Sequence, residues 1–359
     1  MRLHRLLARL LVGLALGALA ARAAAPDEAQ ASDPFGFLED AGDPQTQVYL
    51  RHEAELTERA LERLPGRNDL EARIRALSRS GTTVSALALA GSRVFYLKLE
   101  PERMNPVLCV RNGLDSAERV LVDPERFTRE GKRAAIDWFV PSPEAHYVAY
   151  GISYGGSGDS VLRVVATDTG SDLPLAIDRA RFNARLAWHP DGRSFYYTRL
   201  PETPKEAPSE ANMRIYRHLI GRESASDEVV FAPGVGGAID VPRIDYPYFV
   251  VPADSRYAYA IAREGVRPEI AVHVTEQKDL AKARPRWRKI VGVQDAVTAI
   301  EAWKDDLYLL SHRGAPRYRV LQLNASQPDL AHARVVVPQG DAVIQSMGLA
   351  ADALYLRTM

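Results

Sequence analysis

The chain has 359 residues, enough for one large domain or for two or three small ones. Lysine and arginine together number 46, the same as aspartate plus glutamate, so no general positive charge attracts nucleic acid or anionic lipid. The share of hydrophobic residues is 46% and that of charged residues is 26%, which excludes a collagen-like or largely disordered chain.

The first 25 residues predict an export signal. The basic opening MRLHRLLAR is followed by the apolar run LLVGLALGALA and then by the small residues of ARAAA. The apolar run is shorter than the roughly 20 residues that a membrane span needs, and Ala21-Arg22-Ala23 fits a cleavage site. We expect a cleaved signal peptide over residues 1–25, a periplasmic or secreted protein, and no membrane attachment after cleavage. An uncleaved anchor is the alternative.

A single cysteine, Cys109, excludes an intramolecular disulfide. It lies among apolar neighbours in NPVLCVRNG, which favours a small buried side chain over a reactive thiol.

Residues 43–80, within a predicted N-terminal helical segment over 26–82, predict two amphipathic helices. Asp43 is suited to cap the first helix, with proline at its first position, and Pro65-Gly66 ends it. A shorter helix restarts at Asn68 or Asp69. The apolar faces comprise Tyr49, Leu50, Ala54, Leu56, Thr57, Ala60, Leu61 and Leu64 in the first helix, and Leu70, Ile74 and Leu77 in the second. Both helices need a partner surface.

From residue 83 onward the same hairpin recurs, as in LAWHPDGRSFYYTRL (186–200) and FVVPADSRYAYAIAREG (249–265). Two further strand-like runs follow most hairpins, for example SVLRVVATDTG and then LPLAID. The hairpin turns return roughly every 50 residues, a spacing typical of propeller blades. The turns are Gly91-Ser92, Pro143-Glu144, Asp191-Gly192, Asp254-Ser255, Asp305-Asp306 and Ala351-Asp352. Four antiparallel strands per repeat predict an all-β fold, a β-propeller over residues 83–359. A β-sandwich, the alternative, does not require one hairpin at a fixed period.

The repeats place blade starts near residues 84, 135, 184, 245, 297 and 343. The sixth repeat stops after its second strand, at Met359, so about five and a half blades are expected. Closure is what protects the terminal strand edges of a propeller, so we interpret the sequence as a fragment of a longer protein.

The stretch GISYG, Gly151 to Gly155, matches the G-x-S-x-G nucleophile elbow of serine hydrolases, and Ser157 follows in GGSG. A nucleophile elbow needs a strand, a sharp turn and then a helix. Here the downstream segment SVLRVVATDTG has the pattern of a strand. We therefore predict a loop between the second and third strands of the second blade, and that neither Ser153 nor Ser157 is a nucleophile.

The remaining candidates favour structural roles. The eight histidines are His4, His52, His146, His189, His218, His273, His312 and His332, and their spacing fits no zinc motif. His189 flanks a turn, and Glu39, Asp40 and Asp43 fit helix capping better than acid–base chemistry. The tryptophans are Trp138, Trp188, Trp287 and Trp303, all expected in packing within or between blades rather than in sugar stacking. The polar insertion 201–213 is expected to be an exposed loop. We predict no catalytic, cofactor-binding or metal-binding residue and no cofactor.

Several segments, in order along the chain, resemble the prolyl oligopeptidase family of serine peptidases. DPFGFLED (33–40) is similar to the family's D-P-[FY]-x-W-L-E-D opening, with Phe37 where tryptophan is usual. YGISYGGSGDS, the hairpin ending WHPDGRSFYYTR, and APRYRVLQLN also resemble family segments. The resemblance covers residue 33 to the end.

The resemblance implies an enzyme with a seven-bladed propeller inserted into an α/β-hydrolase domain that carries a Ser–Asp–His triad. In such proteins the propeller admits only short peptides, typically cut after proline, and the N-terminal helices pack on the hydrolase domain. No segment here matches the family's G-G-S-x-G-G motif, so no catalytic residue is carried over. We expect a substrate-gating propeller part that is inactive alone. The alternative is a stand-alone exported propeller that binds a protein or glycan without enzymatic activity.

Overall fold

A computed structural model describes residues 33–78, 81–129, 131–181, 183–201, 213–235, 246–282 and 285–359. The predicted signal peptide and residues 202–212 of the predicted insertion lie outside these ranges. Met213, at the end of that insertion, is buried rather than exposed. The chain divides into two compact units between Leu77 and Ser78. Within the described residues, no helix has the length and apolar character needed to cross a bilayer.

The N-terminal unit contains the two predicted helices, α1 (Pro44–Glu62) and α2 (Arg67–Ser78). The Asp43 carboxylate accepts hydrogen bonds from the backbone N–H groups of Gln45 at 2.7 Å and Thr46 at 3.4 Å, which confirms the predicted cap. Helix α2 begins slightly earlier than predicted. Large apolar side chains of both helices are exposed, namely Val48, Leu50, Leu56, Leu61, Leu64, Leu70, Ile74 and Leu77.

The second unit contains six antiparallel sheets that follow one another along the chain, as the repeats predict. The first sheet comprises β1 (Thr83–Ala90), β2 (Arg93–Leu99), β3 (Val107–Asn112) and β4 (Arg119–Val122). The second comprises β5 (Ala134–Pro141), β6 (Tyr147–Tyr154) and β7 (Val161–Ala166). The third comprises β8 (Ala187–Trp188), β9 (Ser194–Arg199), β10 (Arg214–Leu219) and β11 (Glu228–Phe231).

The remaining sheets continue the same order. The fourth comprises β12 (Tyr248–Val250), β13 (Tyr257–Arg263), β14 (Ile270–Glu276) and β15 (Arg288–Val291). The fifth comprises β16 (Val297–Trp303), β17 (Asp306–Ser311), β18 (Arg319–Asn324) and β19 (Arg334–Val337). The sixth comprises β20 (Ile344–Leu349) and β21 (Leu354–Thr358). Because consecutive strands pair within each sheet, every sheet is a meander, which is the blade of a propeller.

The predicted fourth strand of the second sheet, LPLAID, is wrong as a continuous strand. Only two isolated bridges form, Leu162 with Ile177 and Val165 with Asp172. Pro174 has no N–H group to donate to a ladder, and the backbone N–H of Leu175 bonds instead to the carbonyl of Leu173, at 2.7 Å. The segment follows the sheet edge without completing the ladder.

The apolar core lies between neighbouring sheets. Phe95 and Leu108 of the first sheet pack with Val148 and Tyr150 of the second. Equivalent clusters join the second sheet to the third, the third to the fourth, the fourth to the fifth and the fifth to the sixth. Each inner sheet therefore buries both of its faces, which explains why its strands are apolar at consecutive positions.

Cys109 is fully buried in β3, as the sequence predicts. Burial raises the pKa of its thiol to about 11, so the reactive thiolate form is disfavoured at neutral pH.

His273 in β14 is buried, and neither of its ring nitrogens has a hydrogen-bond partner among the described residues. The ring meets Phe231 edge to face, with centroids 5.4 Å apart. Burial, reinforced by the charge of Lys289, lowers the pKa of the imidazole from 6.5 to about 4. The imidazole of His273 is therefore harder to protonate in the folded protein than in the unfolded chain.

We predict that His273 makes the protein sensitive to acid. The pKa of His273 is lower in the folded protein than in the unfolded chain. Its contribution to the free energy of unfolding is therefore fully present above pH 6.5 and is lost as the pH falls toward 4, by about 3 kcal/mol in total. Urea unfolding of His273→Leu at pH 7 and at pH 4 should show a smaller acid-induced loss than the parent protein. The exposed His332→Leu is the control and should follow the parent. An unchanged loss in His273→Leu would contradict the assignment.

Candidate functional site

First strands from five different sheets border one cavity of about 690 Å³. Its lining includes one apolar residue from each of these strands, Ala90, Val140, Trp188, Val250 and Ile300. In these five sheets the first strand is therefore the innermost strand, and the five sheets border a common space. We call this space the strand-lined cavity.

A second cavity of about 720 Å³ shares Arg185 and Tyr248 with the first, so the two spaces adjoin. Three arginines and one aspartate are the charged residues among those lining it, Arg181, Arg185, Arg263 and Asp137. Aromatic and apolar groups complete the wall, including Trp138, Tyr246, Pro247 and Val266. We call this space the arginine-lined cavity.

Arg185 lies where the two cavities adjoin. Its guanidinium carbon is 4.6 Å from the centroid of the Tyr248 ring, a cation–π contact. Burial raises the pKa of Glu301 in the strand-lined cavity, and the positive charge of Arg185 opposes that rise. The boundary between the cavities thus combines a cation, an aromatic face and a carboxyl group that burial makes harder to ionise.

Asp137 has both carboxylate oxygens occupied. One accepts a hydrogen bond from the hydroxyl of Ser153 at 2.8 Å, and the other accepts one from Ser160 at 2.5 Å. These two hydrogen bonds link β5 to β6 and to the residue directly before β7.

The G-x-S-x-G stretch has the predicted strand–loop–strand arrangement. Ser153 is buried in β6, and β7 follows the loop, with no helix between them. Gly155, Gly156 and Gly158 have φ values of +60°, +76° and +69°, so they supply the left-handed backbone that the loop needs. The absence of a following helix and the bond from Ser153 to Asp137 fit a structural role. That neither serine is a nucleophile stays a prediction.

Gly151 has a different role from the loop glycines. A Cβ atom placed on it would lie 2.4 Å from the indole of Trp138, on the neighbouring strand β5. The first glycine of the apparent motif thus provides clearance for a buried tryptophan.

The other candidates are distributed over the sheets. In the described part of the chain, no group of three or more His, Cys, Asp or Glu side chains is placed to hold a metal ion. Trp138, Trp188 and Trp287 are buried, as predicted. Trp303 is not, because it ends β16 beside the hairpin turn and is 40% exposed, with the Lys304 ammonium 4.4 Å from its ring centroid.

Sequence reasoning missed the residues that surround the cavities, chiefly Asp137, Arg185 and Arg263. A signal for one of them existed. In a propeller the first strand of each blade is the innermost, so a charged residue on a first strand, such as Asp137 in β5 or Glu301 in β16, is a candidate for the central space. Arg185 precedes β8 and Arg263 ends β13, so strand position did not identify them.

The family model described as prolyl oligopeptidase, N-terminal beta-propeller domain, matches residues 20–359. The prolyl endopeptidase of Elizabethkingia meningoseptica is 24% identical over 305 residues, covering 83% of this chain and 41% of that protein. Prolyl oligopeptidase A of Galerina marginata is 23% identical over 264 residues, covering 67% of this chain and 34% of that protein.

Solved structures of prolyl oligopeptidases share the fold of this chain. A prolyl endopeptidase structure superposes with a TM-score of 0.80 and 26% identity, covering 91% of this chain and 46% of that chain. Prolyl oligopeptidase B of Galerina marginata, bound to a 35mer hydrolysis and macrocyclization substrate, gives a TM-score of 0.75 at 20% identity, with 91% and 49% covered. The chain spans less than half the length of these relatives.

We predict that Gly151→Ala destabilises the fold. The added methyl group would force the Trp138 indole or the strand to shift, at a cost of about 1–3 kcal/mol. Gly340→Ala is the control, since a Cβ there meets nothing within 4 Å and its φ is not positive, so it should change stability by less than about 0.5 kcal/mol. Equal urea midpoints for the two variants would contradict the clearance role of Gly151.

Proposed function

Because this chain belongs to the prolyl oligopeptidase family, we propose that it is the propeller part of a serine peptidase and controls access of short, proline-containing peptides. The peptide bond would be cut by an α/β-hydrolase part outside these 359 residues. That part would supply the serine nucleophile, its histidine base and the oxyanion hole. On this proposal the chain has no catalytic residue and no cofactor of its own.

The observation that carries the proposal is the convergence of five first strands on the strand-lined cavity. A space of about 690 Å³ is within the range of sites that hold small ligands. A folded domain of 100 residues has a radius of gyration of about 13 Å and cannot enter such a space. The geometry supports selection of short or extended peptides over folded proteins.

The exposed apolar residues of α1 and α2 also support the proposal. A helix with an apolar face is normally buried against another element. We propose that the hydrolase part provides that surface, since contiguous apolar patches are rarely left exposed to water. We further propose that the protein is exported, on the basic and apolar pattern of residues 1–25.

The first test is hydrolysis of a fluorogenic peptide with an internal proline. The purified 359-residue chain should release no fluorophore, whereas the product of the reading frame extended past codon 359 should be active. The extension should encode a G-G-S-x-G-G segment, and replacing its serine with alanine should abolish activity. Hydrolysis by the 359-residue chain alone would overturn the proposal, as would an extension without a serine nucleophile.

A second test concerns access. Leu89 is 71% exposed and lines the strand-lined cavity, so Leu89→Trp should narrow that space. In the active extended protein, Leu89→Trp should hydrolyse an octapeptide at least threefold more slowly than the parent does. The rate with a dipeptide substrate should change less. Leu219→Trp, on β10 and outside both cavities, is the control and should leave both rates unchanged. Equal rates for Leu89→Trp and the parent would exclude the strand-lined cavity as the route.

A further inference from the structure

Asn112 is the only asparagine of the sequence that is followed by glycine. It is the last residue of β3, it is exposed, and Gly113 begins the connection to β4. The backbone N–H of Asn112 donates a hydrogen bond to Ser116 Oγ at 2.7 Å. Its side-chain amide has no hydrogen-bond partner in the part of the chain that the structure describes. No hydrogen bond there holds the Asn112 carboxamide in one orientation.

The backbone N–H of Gly113 differs from the equivalent group in four other sheets. In those sheets the residue after the third strand donates its N–H to the carbonyl of the residue before the second strand, at 2.7–2.9 Å. The four donors are Thr167, Ile220, Gln277 and Ala325. The corresponding bond from Gly113 to the Ser92 carbonyl does not form among the described residues. The first sheet therefore leaves the Gly113 nitrogen unpaired directly beside the Asn112 carboxamide.

An unpaired backbone nitrogen beside an asparagine side chain permits an intramolecular reaction. The Gly113 nitrogen loses its proton to hydroxide and attacks Cγ of Asn112, which closes a five-membered succinimide ring. The bond from Cγ to the side-chain nitrogen breaks, and that nitrogen takes up a proton and leaves as ammonia. Water then opens the ring at either carbonyl, giving aspartate or isoaspartate. Glycine favours the attack because it has no Cβ atom, and the space around position 113 is open to 4 Å.

We propose that Asn112-Gly113 is a site of spontaneous deamidation, at which Asn112 of the folded protein is converted to aspartate or isoaspartate. Water is the only co-reactant, and no group of a hydrolase part is needed. The modification therefore does not depend on peptidase activity and can be tested on this chain alone.

The modified residue would lie at the junction of the first and second sheets. Asn112 pairs with Arg93 in the ladder between β2 and β3. Arg93 Nη1 donates to the Ala145 carbonyl at 3.1 Å, and Nη2 donates to the Asp168 carboxylate at 2.5 Å. Isoaspartate adds one carbon to the main chain at the last pair of this ladder, which disturbs the pairing that positions Arg93. We expect the isoaspartyl protein to unfold at a lower urea concentration.

Asn324 is a matched comparison in the same molecule, because it ends β18 as Asn112 ends β3. Its side-chain nitrogen donates to Asp306 Oδ1 at 2.8 Å, and its side-chain oxygen accepts the Ser326 hydroxyl at 2.5 Å. The N–H of the following residue, Ala325, is bonded to a carbonyl. Both groups that would react are held by hydrogen bonds, so the fold should protect Asn324.

The test is peptide mass mapping of the purified 359-residue chain during incubation in mildly alkaline buffer. Synthetic peptides spanning residues 110–116 and 321–327 are incubated in parallel. Each rate in the protein is divided by the rate in its own peptide, which removes the intrinsic difference between glycine and alanine. Asn112 should react less than about tenfold more slowly than its peptide, and Asn324 should be slowed more than that. Carboxyl methylation by an isoaspartyl methyltransferase identifies the isoaspartyl product.

An intact Asn112 after its peptide has reacted would overturn the proposal, as would equal slowing of Asn112 and Asn324. Asn112→Gln removes the reactive pair and should give no isoaspartate at this position. After identical incubation, the urea midpoint of the parent should fall and that of Asn112→Gln should not. An unchanged midpoint in fully converted parent protein would contradict the effect on the sheet junction.

Discussion

The fold depends on one constraint: an inner sheet must bury both of its faces against its neighbours. Neighbouring residues of a strand point to opposite faces, so both sets must be apolar. In β9, Phe195 and Tyr197 pack toward the second sheet, while Tyr196 between them packs toward the fourth. In β13, Ala258 and Ala260 face the third sheet, while Tyr259 and Ile261 face the fifth. In β13 the small residues therefore face one neighbouring sheet and the large residues face the other.

Hydrogen bonds between neighbouring sheets fix the position of one sheet relative to the next. The indole of Trp188 donates a hydrogen bond to the carbonyl of Val140 in the preceding sheet, at 3.1 Å. The indole of Trp287 makes the equivalent bond to the carbonyl of Val230, at 2.9 Å. Each tryptophan buries a large ring and also donates a hydrogen bond to a backbone carbonyl of the neighbouring sheet. It therefore fixes the alignment of the two sheets. The first bond joins the first strands of the second and third sheets, and the second joins the fourth-strand regions of the third and fourth sheets.

The third strands of two adjacent sheets each bury one histidine. His218 in β10 pairs with Phe195 across the ladder, and His273 in β14 pairs with Ala260. The first ring bonds to the Asp227 carboxylate at 2.9 Å, whereas the ring nitrogens of the second have no hydrogen-bond partner in the described chain. A buried imidazole is therefore hydrogen-bonded in the third sheet, whereas burial of the imidazole in the fourth sheet is costly.

The sequence by itself determined the local elements and their order. Asp43 with Pro44 predicted the first helix, and hairpin turns at regular spacing predicted six successive sheets, because capping and turn signals act within a few residues. Pro174 was a local signal against the fourth strand of the second sheet, although the apolar pattern around it favoured a strand.

Only the tertiary structure decided which residues share a space. Arg185 and Tyr248 are far apart in sequence, yet both line the same two cavities. Position 151 has no space for a side chain because an indole on another strand lies against it. Burial of Trp138 likewise depends on the neighbouring sheet, because it packs in one cluster with Trp188 and Phe195. Such contacts follow from how whole sheets are placed side by side, and no pattern confined to one strand encodes that placement.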